Sequence, residues 1–218
     1  MTQKPIILIG GGGHTRVLVG MLRTLGWPVQ GILTQDSKRL GTEILGVQVL
    51  GLEGEVTLDA SAVTLVNGVG NRASRDGSGL QVRASVFQRY RAQGFHFLPV
   101  ISTHAIIQPE VQYGEGVQIM PGAVIQPGAM IGENCIINTG AVIDHDVVLY
   151  PHVHVAPGAV LCGNVRVGEE THIGAGATII QGIRVGSHVV IGAGATVTRH
   201  VPDGALVRPA ASEQIKAL

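Results

Sequence analysis

The sequence predicts two unlike parts in series: an α/β domain with a small Rossmann-like parallel sheet over residues 1–98, and an all-β parallel helix of hexapeptide repeats over residues 99–218. Three observations carry this. Strand-like and helix-like patterns alternate through residue 98. From Ala105 onward a small or aliphatic residue returns at every sixth position. The chain is 45% hydrophobic but only 3% aromatic, so small aliphatic side chains must fill its core.

In the first part, "PIILIG" is a short apolar run ending in glycines and reads as a strand. "HTRVLVGMLRTLG" places Val17, Leu18, Met21, Leu22 and Leu25 at helical spacing and is closed by Gly26. "WPVQGIL" reads as a second strand and "AVTLVNGVG" as a third. "LQVRASVFQRYRAQG" is a helix with Leu80, Ala84, Phe87 and Tyr90 along one side, stopped by Gly94. This order implies a parallel sheet flanked by helices.

In the second part the frame starting at Ala105 runs unbroken to Val201. Two residues further into each unit, from Tyr113 to Val197, stands an Ile, Leu or Val, or once a Tyr. Three such units, 18 residues, make one coil of a triangular prism. First and third positions point inward and the second outward, as strand alternation requires. Fifth and sixth positions form the corners, where Pro121-Gly122, Pro127-Gly128 and Pro157-Gly158 supply turn chemistry.

Fifteen basic residues balance fifteen acidic ones, and no basic stripe appears, which argues against nucleic acid or an anionic membrane as partner. No apolar run reaches the ~18 residues of a membrane span, and the N-terminus does not read as a signal peptide. Cys135 and Cys162 offer neither a disulfide framework nor a metal spacing. A cytoplasmic protein without a metal is the expectation.

The repeat frame sorts the polar residues of "AVIDHDVVLYPHVHVAPG". His145 and Asp146 fall at the fifth and sixth positions, on a corner, where other units carry Pro-Gly. Asn138 takes the fourth position of the preceding unit. A general base needs one ring nitrogen free and the other hydrogen-bonded, and an adjoining carboxylate provides that, so His145 and Asp146 are candidates for catalysis with Asp144 as a rival acid. His154 is an outward second-position residue, and His172 should stack over it on the next coil. His152, His172, His188 and His200 read as polar surface residues. Zinc would need three or four converging ligands. The His-x4-His spacing associated with β-helical carbonic anhydrases is absent.

"IGGGGH" ends the first strand and opens the first helix, where glycines admit a ligand to the backbone and a helix N-terminus favours phosphate. Asp36, after the second strand, is placed to bond a ribose or base. "NGVGNRASR" brings a second glycine-rich loop to the same sheet end, with Asn71 and Arg75 as polar candidates. The domain's size suits a mononucleotide or nucleotide-sugar better than NAD.

Taken together, "GGGGH", "GVGN", "NTGAVIDHD", "HVHVAPGA", "GNVRVGEETHIGAGA" and "IGAGATVTRHVPDG" resemble the sugar acyltransferases related to sialic-acid O-acetyltransferase, the bacillosamine-type UDP-4-amino-sugar N-acetyltransferases and GDP-perosamine N-acetyltransferase. The resemblance implies a left-handed coil, a homotrimer with active sites between subunits, acetyl-CoA as acyl donor and a nucleotide-sugar substrate. It implies His145 as catalytic base, Asp146 as its supporting acid and Asn138 as a further active-site residue. His154, Gly163, Ala175 and Ala193 would contact the cofactor, and Gly12, Gly13, His14, Asp36, Gly70 and Asn71 the nucleotide-sugar. N-acetylation of a nucleotide-linked 4-amino-dideoxy sugar is the expected activity, the rivals being sugar O-acetylation of the sialic-acid type and a non-catalytic nucleotide-sugar sensor. Two departures stand out. Thr34 replaces an acid that relatives often carry after the second strand, and Arg208 replaces a glycine near the C-terminus.

Overall fold

The computed structural model describes residues 4–71 and 79–209. In the first part, β1 (Ile6–Ile9) leads into α1 (Gly13–Thr24), followed by β2 (Val29–Thr34), β3 (Glu43–Ile44), β4 (Val47–Leu52), β5 (Thr64–Asn67) and α2 (Gln81–Ala92). The strand order is β3-β4-β2-β1-β5. Strands β4, β2, β1 and β5 are parallel. The expectation of a purely parallel sheet needs correction, because β3 pairs antiparallel with β4 at one edge. The turn between them uses Leu45 at φ 49 and Gly46 at φ 70, two left-handed residues in the style of a tight hairpin. No Asn-Gly or Asp-Gly marks it, which is why the sequence does not announce it.

All four β1 residues are buried, and they alternate between two cores. Ile6 and Leu8 pack with Leu18, Val19 and Leu22 of α1, and this cluster continues into Val100, Met120 and Ile136 of the second part. Ile7 and Ile9 pack with Val86, Phe87 and Tyr90 of α2. Val17, expected on the apolar side of α1, is 47% exposed instead.

In the second part, two-residue strands recur every 18 residues on three flat faces. The first face runs from Val100–Ile101 through Gln118–Ile119, Ile136–Ile137, His154–Val155 and His172–Ile173 to Leu206–Val207. The second face runs from Ile106–Ile107 to Thr196–Val197, and the third from Gln112–Tyr113 to Arg184–Val185. First- and third-position side chains from Val117 to Val197 form one continuous core. Every sixth-position residue from Glu110 to Gly194 has positive φ, whether it is Gly, Asn, Asp, His or Glu. That is the conformation a type II turn demands of its third residue, so Pro-Gly suits the fifth and sixth positions. The 18-residue register ends near the C-terminus: Val190 pairs with Leu206, two residues early.

The first part sits on the first face. Gln118, Met120 and Ile136 point out of the prism yet are fully buried beneath it. Arg83 of α2 is buried too, and its Nε and Nη1 donate to the carbonyls of Asn134 (3.1 Å), Asn67 (2.9 Å) and Val69 (2.7 Å). It thereby ties the helix, the glycine-rich loop after β5 and the coil together.

Candidate active site

At the edge between the second and third faces, His145 and Asp146 occupy fifth and sixth positions, with Asp146 at φ 58. Asp and Asn tolerate this left-handed geometry better than most residues. The imidazole Nδ1 lies 2.9 Å from Asp146 Oδ2. Asp144, the rival acid, accepts from the backbone N–H of His145 at 2.8 Å instead. The two acids therefore divide the work: Asp144 shapes the turn and Asp146 holds the ring. The hydrogen bond that His145 donates to Asp146 raises the His145 pKa above the ordinary 6.5, with the negative charges of both acids adding to it.

Two glycines make room for this pair. A Cβ on Gly163, one coil further on, would lie 2.4 Å from His145 Nε2, and a Cβ on Gly128, one coil before, 2.6 Å from Asp146 Oδ1. Gly163, expected among the cofactor contacts, thus packs against the histidine ring, on a different edge from Ala175 and Ala193. Those two alanines stack in register and are exposed at the edge between the first and second faces, joined by the bond from Gly194 N–H to the Ala175 carbonyl at 2.8 Å.

Asn138 belongs to that same edge. Its Oδ1 accepts from the Thr139 N–H at 2.8 Å, so its Nδ2 must donate to His154 Nε2 at 3.3 Å. His154 then carries its proton on Nδ1, which is buried and has no hydrogen-bond partner among the described residues. His172 pairs with His154 in the strand register, as expected, with ring centroids 4.8 Å apart. The reading of His152 and His172 as surface residues is overturned. They are 4% and 8% exposed: His152 bonds Asn134 at 2.9 Å and meets Phe87 of α2 edge-on, and His172 lies edge-on against His154. Burial keeps all three rings neutral, pushing His152 and His172 down to about 4 and His154 well below the ordinary 6.5. His188, near Glu170 at 3.3 Å, and His200, which accepts from the Arg184 N–H, remain at the surface.

At the C-terminal end of the sheet a cavity of about 410 Å³ gathers Gly12, Gly13, His14, Asp36, Gly70 and Asn71. Its four leading glycines have different reasons. Gly10 at φ 113 abuts the backbone of Gly68, and Gly11 makes way for Thr34 and Arg39. Gly12 and Gly13 have an ordinary φ, and among the described residues nothing lies within 4 Å of a hypothetical Cβ. Packing of the described residues therefore does not require glycine at these two positions; close approach of a ligand to the helix start would. Arg39 and Glu53 also line the cavity and were not anticipated. Glu53 is bonded by Arg89 and by Gln35. Its distance along the chain from the glycine motif hid it. Arg75 lies outside the described residues. Among the described residues no cluster of His, Cys, Asp and Glu is arranged to hold a metal, and no helix is long and apolar enough to cross a membrane.

With this geometry in view, comparison with known proteins places the chain. Perosamine N-acetyltransferase from Caulobacter crescentus, solved with CoA and GDP-perosamine, shares 35% identity over 93% of this chain and 92% of its own, with a TM-score of 0.84. The chain belongs to this family of sugar acyltransferases. The acetyltransferase domain of PglB from Neisseria gonorrhoeae, solved with acetyl coenzyme A, is 33% identical over 94% of this chain and 96% of its own, at a TM-score of 0.84. WeeI from Acinetobacter baumannii is 25% identical over 93% of this chain and 95% of its own, at 0.81. The bacterial transferase hexapeptide family (six repeats) matches residues 114–145 and 164–199. No curated protein sequence gives a match. The acyltransferase is thus one whose prism is the hexapeptide β-helix of its family.

Proposed function

We propose that the chain transfers an acetyl group from acetyl-CoA to the amino group of a nucleotide-linked 4-amino-dideoxy sugar, directly and with His145 as general base. The observation that carries this is the His145 ring: Nδ1 is held by Asp146, while Nε2 stands at a half-exposed prism edge against Gly163. A ring oriented in this way accepts a proton at Nε2 and keeps the resulting imidazolium next to a carboxylate. The relative from Caulobacter crescentus, solved with CoA and GDP-perosamine, supports the substrate class, and two of its complexes were obtained with a histidine replaced by asparagine or alanine.

In the proposed reaction the sugar amine attacks the thioester carbonyl carbon and passes a proton to Nε2. The C–S bond then breaks and CoA leaves, taking up that proton as the thiol. Among the described residues no Cys or Ser hydrogen-bonds to His145, and the nearby free Cys162 belongs to a fourth position on the next coil, beside Gly163. The proposed transfer is therefore direct, without an acyl-enzyme. Backbone N–H groups at the glycine-rich corners would stabilise the oxyanion.

Residues 1–98 would hold the nucleotide-sugar in the cavity at the sheet end, and residues 99–218 would carry out the transfer. The site would be completed in a homotrimer. Within one protomer, Asn138, Ala175 and Ala193 lie on one edge of the second face, and His145 on the other. Between them runs an outward row of Ile106, Val124, Val142 and Val160, stacked in register. An apolar row of this kind on a flat face suits burial against a second copy, which would bring a cofactor edge to a catalytic edge.

Incubation with acetyl-CoA and a panel of nucleotide-linked amino- and hydroxy-sugars tests the reading. Thiol release with formation of an alkali-stable amide is expected. A hydroxylamine-labile ester as the only product would replace it with O-acetylation, and no turnover with any member would overturn it.

A further inference from the structure

Gln118 lies on the second coil of the β-helix, points out of the prism and is fully buried beneath the α/β domain. Its Nε2 donates to the Asn67 carbonyl at 2.7 Å, and its Oε1 lies 2.6 Å from His14 Nε2. These two contacts fix the amide without ambiguity. A carbonyl only accepts, so the NH2 group must face Asn67, and the opposite orientation would set two oxygens 2.7 Å apart. Oε1 therefore faces the ring, and His14 Nε2 must bear a hydrogen to donate to it. Three features keep the ring from taking a second proton. It is largely desolvated against the protein, the Arg83 guanidinium adds repulsion, and it sits at the positive N-terminus of α1. Burial first, and Arg83 second, push its pKa down to about 4.

A neutral ring with hydrogen on Nε2 has a lone pair on Nδ1. Among the described residues no donor bonds that nitrogen. His14 lines the cavity beside Gly12 and Gly13, and Gly70 crosses its base without a side chain, where a Cβ would lie 3.3 Å from that of His14. A diphosphate presents only acceptor oxygens at neutral pH, so a lone pair aimed at it is repulsive. A hydroxyl is a donor.

We propose that Gln118 fixes His14 in the Nε2–H tautomer, and that its Nδ1 accepts a hydrogen bond from a ring hydroxyl of the bound sugar, so that His14 reads the sugar and not the diphosphate. This rests on the nucleotide-sugar reading of the cavity above. His14 becomes a specificity contact, and Gln118, from the other domain, the positioning residue behind it. The sugar amine stays free to face the thioester.

The test is calorimetric titration of wild type, His14→Ala, His14→Asn and Gln118→Leu with the free nucleoside diphosphate and with the intact nucleotide-sugar, alongside long-range 1H–15N spectra of 15N-histidine-labelled protein. The wild-type spectrum should show His14 protonated on Nε2. His14→Ala should weaken the nucleotide-sugar about tenfold and leave the diphosphate within about twofold. His14→Asn, whose Oδ1 can stand near the Nδ1 position, should recover part of the loss. Gln118→Leu, if folded by its melt, should mix the tautomers and weaken the nucleotide-sugar alone; if it fails to fold, the His14 pair decides. Equal losses for both ligands, no loss for either, or an Nδ1–H tautomer in wild type would overturn the proposal. Wild type that binds the nucleotide-sugar without acetylating it would count against the transferase reading and leave this one standing. Wild type that binds neither ligand would remove the nucleotide-sugar reading before any variant is made.

Discussion

The imidazole of His145 rests on the bare Cα of Gly163, one coil away, so closely that a single added methyl would lie 2.4 Å from Nε2. Gly163 does not adopt positive φ, so the backbone itself would accept alanine. Its reason for being glycine is the ring.

Gly163→Ala should therefore fold with nearly unchanged melting behaviour and lose about 10²-fold in kcat, because the base is displaced by roughly an ångström. Steady-state kinetics beside a thermal melt would check this. Unchanged kcat would mean that Nε2 does not need its present position.

Asp146→Asn keeps a residue that tolerates left-handed φ, and so separates charge from backbone geometry. The active form of His145 is the free base, and the carboxylate raises its pKa above 6.5. Loss of that charge should move the acidic limb of the kcat/KM profile to lower pH and reduce the plateau by about 10-fold or more. His145→Ala should cost about 10²–10⁴-fold in kcat with oligomeric state preserved. An acidic limb that stays in place in Asp146→Asn would transfer the supporting role to Asp144 or to water.

Gly12→Ala meets nothing among the described residues, whereas Gly10→Ala is strained at φ 113 and meets the Gly68 backbone at 3.0 Å. Gly12→Ala should leave the melting temperature within about a degree and raise KM for the nucleotide-sugar about tenfold, with KM for acetyl-CoA unmoved. Gly10→Ala should lower the melting temperature by several degrees, a cost of about 1–3 kcal/mol. Equal effects of the two substitutions on stability would remove the distinction between ligand glycines and packing glycines.

Stability should fall as the pH drops from 6.5 to 4. Burial pushes His14, His152 and His172 down to about 4 in the folded chain and holds His154 well below 6.5, against an ordinary 6.5 in the unfolded chain. Between those limits the unfolded chain binds more protons, so acid favours unfolding. The summed effect is on the order of several kcal/mol, or about ten degrees in melting temperature for a chain of this size. His172→Asn cannot titrate and should flatten part of the slope. An unchanged slope would assign the loss to carboxylates.

Arg83 is buried, has no carboxylate partner among the described residues and satisfies three backbone carbonyls. Arg83→Ala leaves those carbonyls and a cavity behind and should destabilise by about 3–5 kcal/mol, read from denaturant unfolding. A cost under about 1 kcal/mol would show that the two domains do not depend on this tie.

The prism was legible because its physics is local and repeated. A corner every six residues and an inward pair in every unit impose one constraint many times over, and even the corner position of His145 and Asp146 follows from counting. The pairing of His154 with His172 is likewise arithmetic, being one 18-residue coil. Counting could not show what covers the outward residues. Gln118 and Ile136 share a second-position register with Arg166 and Arg184 on the third face, yet the first two are buried and the two arginines are exposed, because the α/β domain lies against the first face. Arg83 stands in the apolar stripe of α2, one position before Ala84, and only the approach of Asn67, Val69 and Asn134 from two other segments makes that position habitable for a guanidinium. Which acid holds His145 was also undecided in the chain, since Asp144 and Asp146 flank it symmetrically in sequence. The left-handed turn at Asp146 broke that symmetry by directing one carboxylate to the ring and the other to the backbone. Periodicity is set by neighbours along the chain, but burial, tautomer and charge depend on which distant segments come to rest on each side chain.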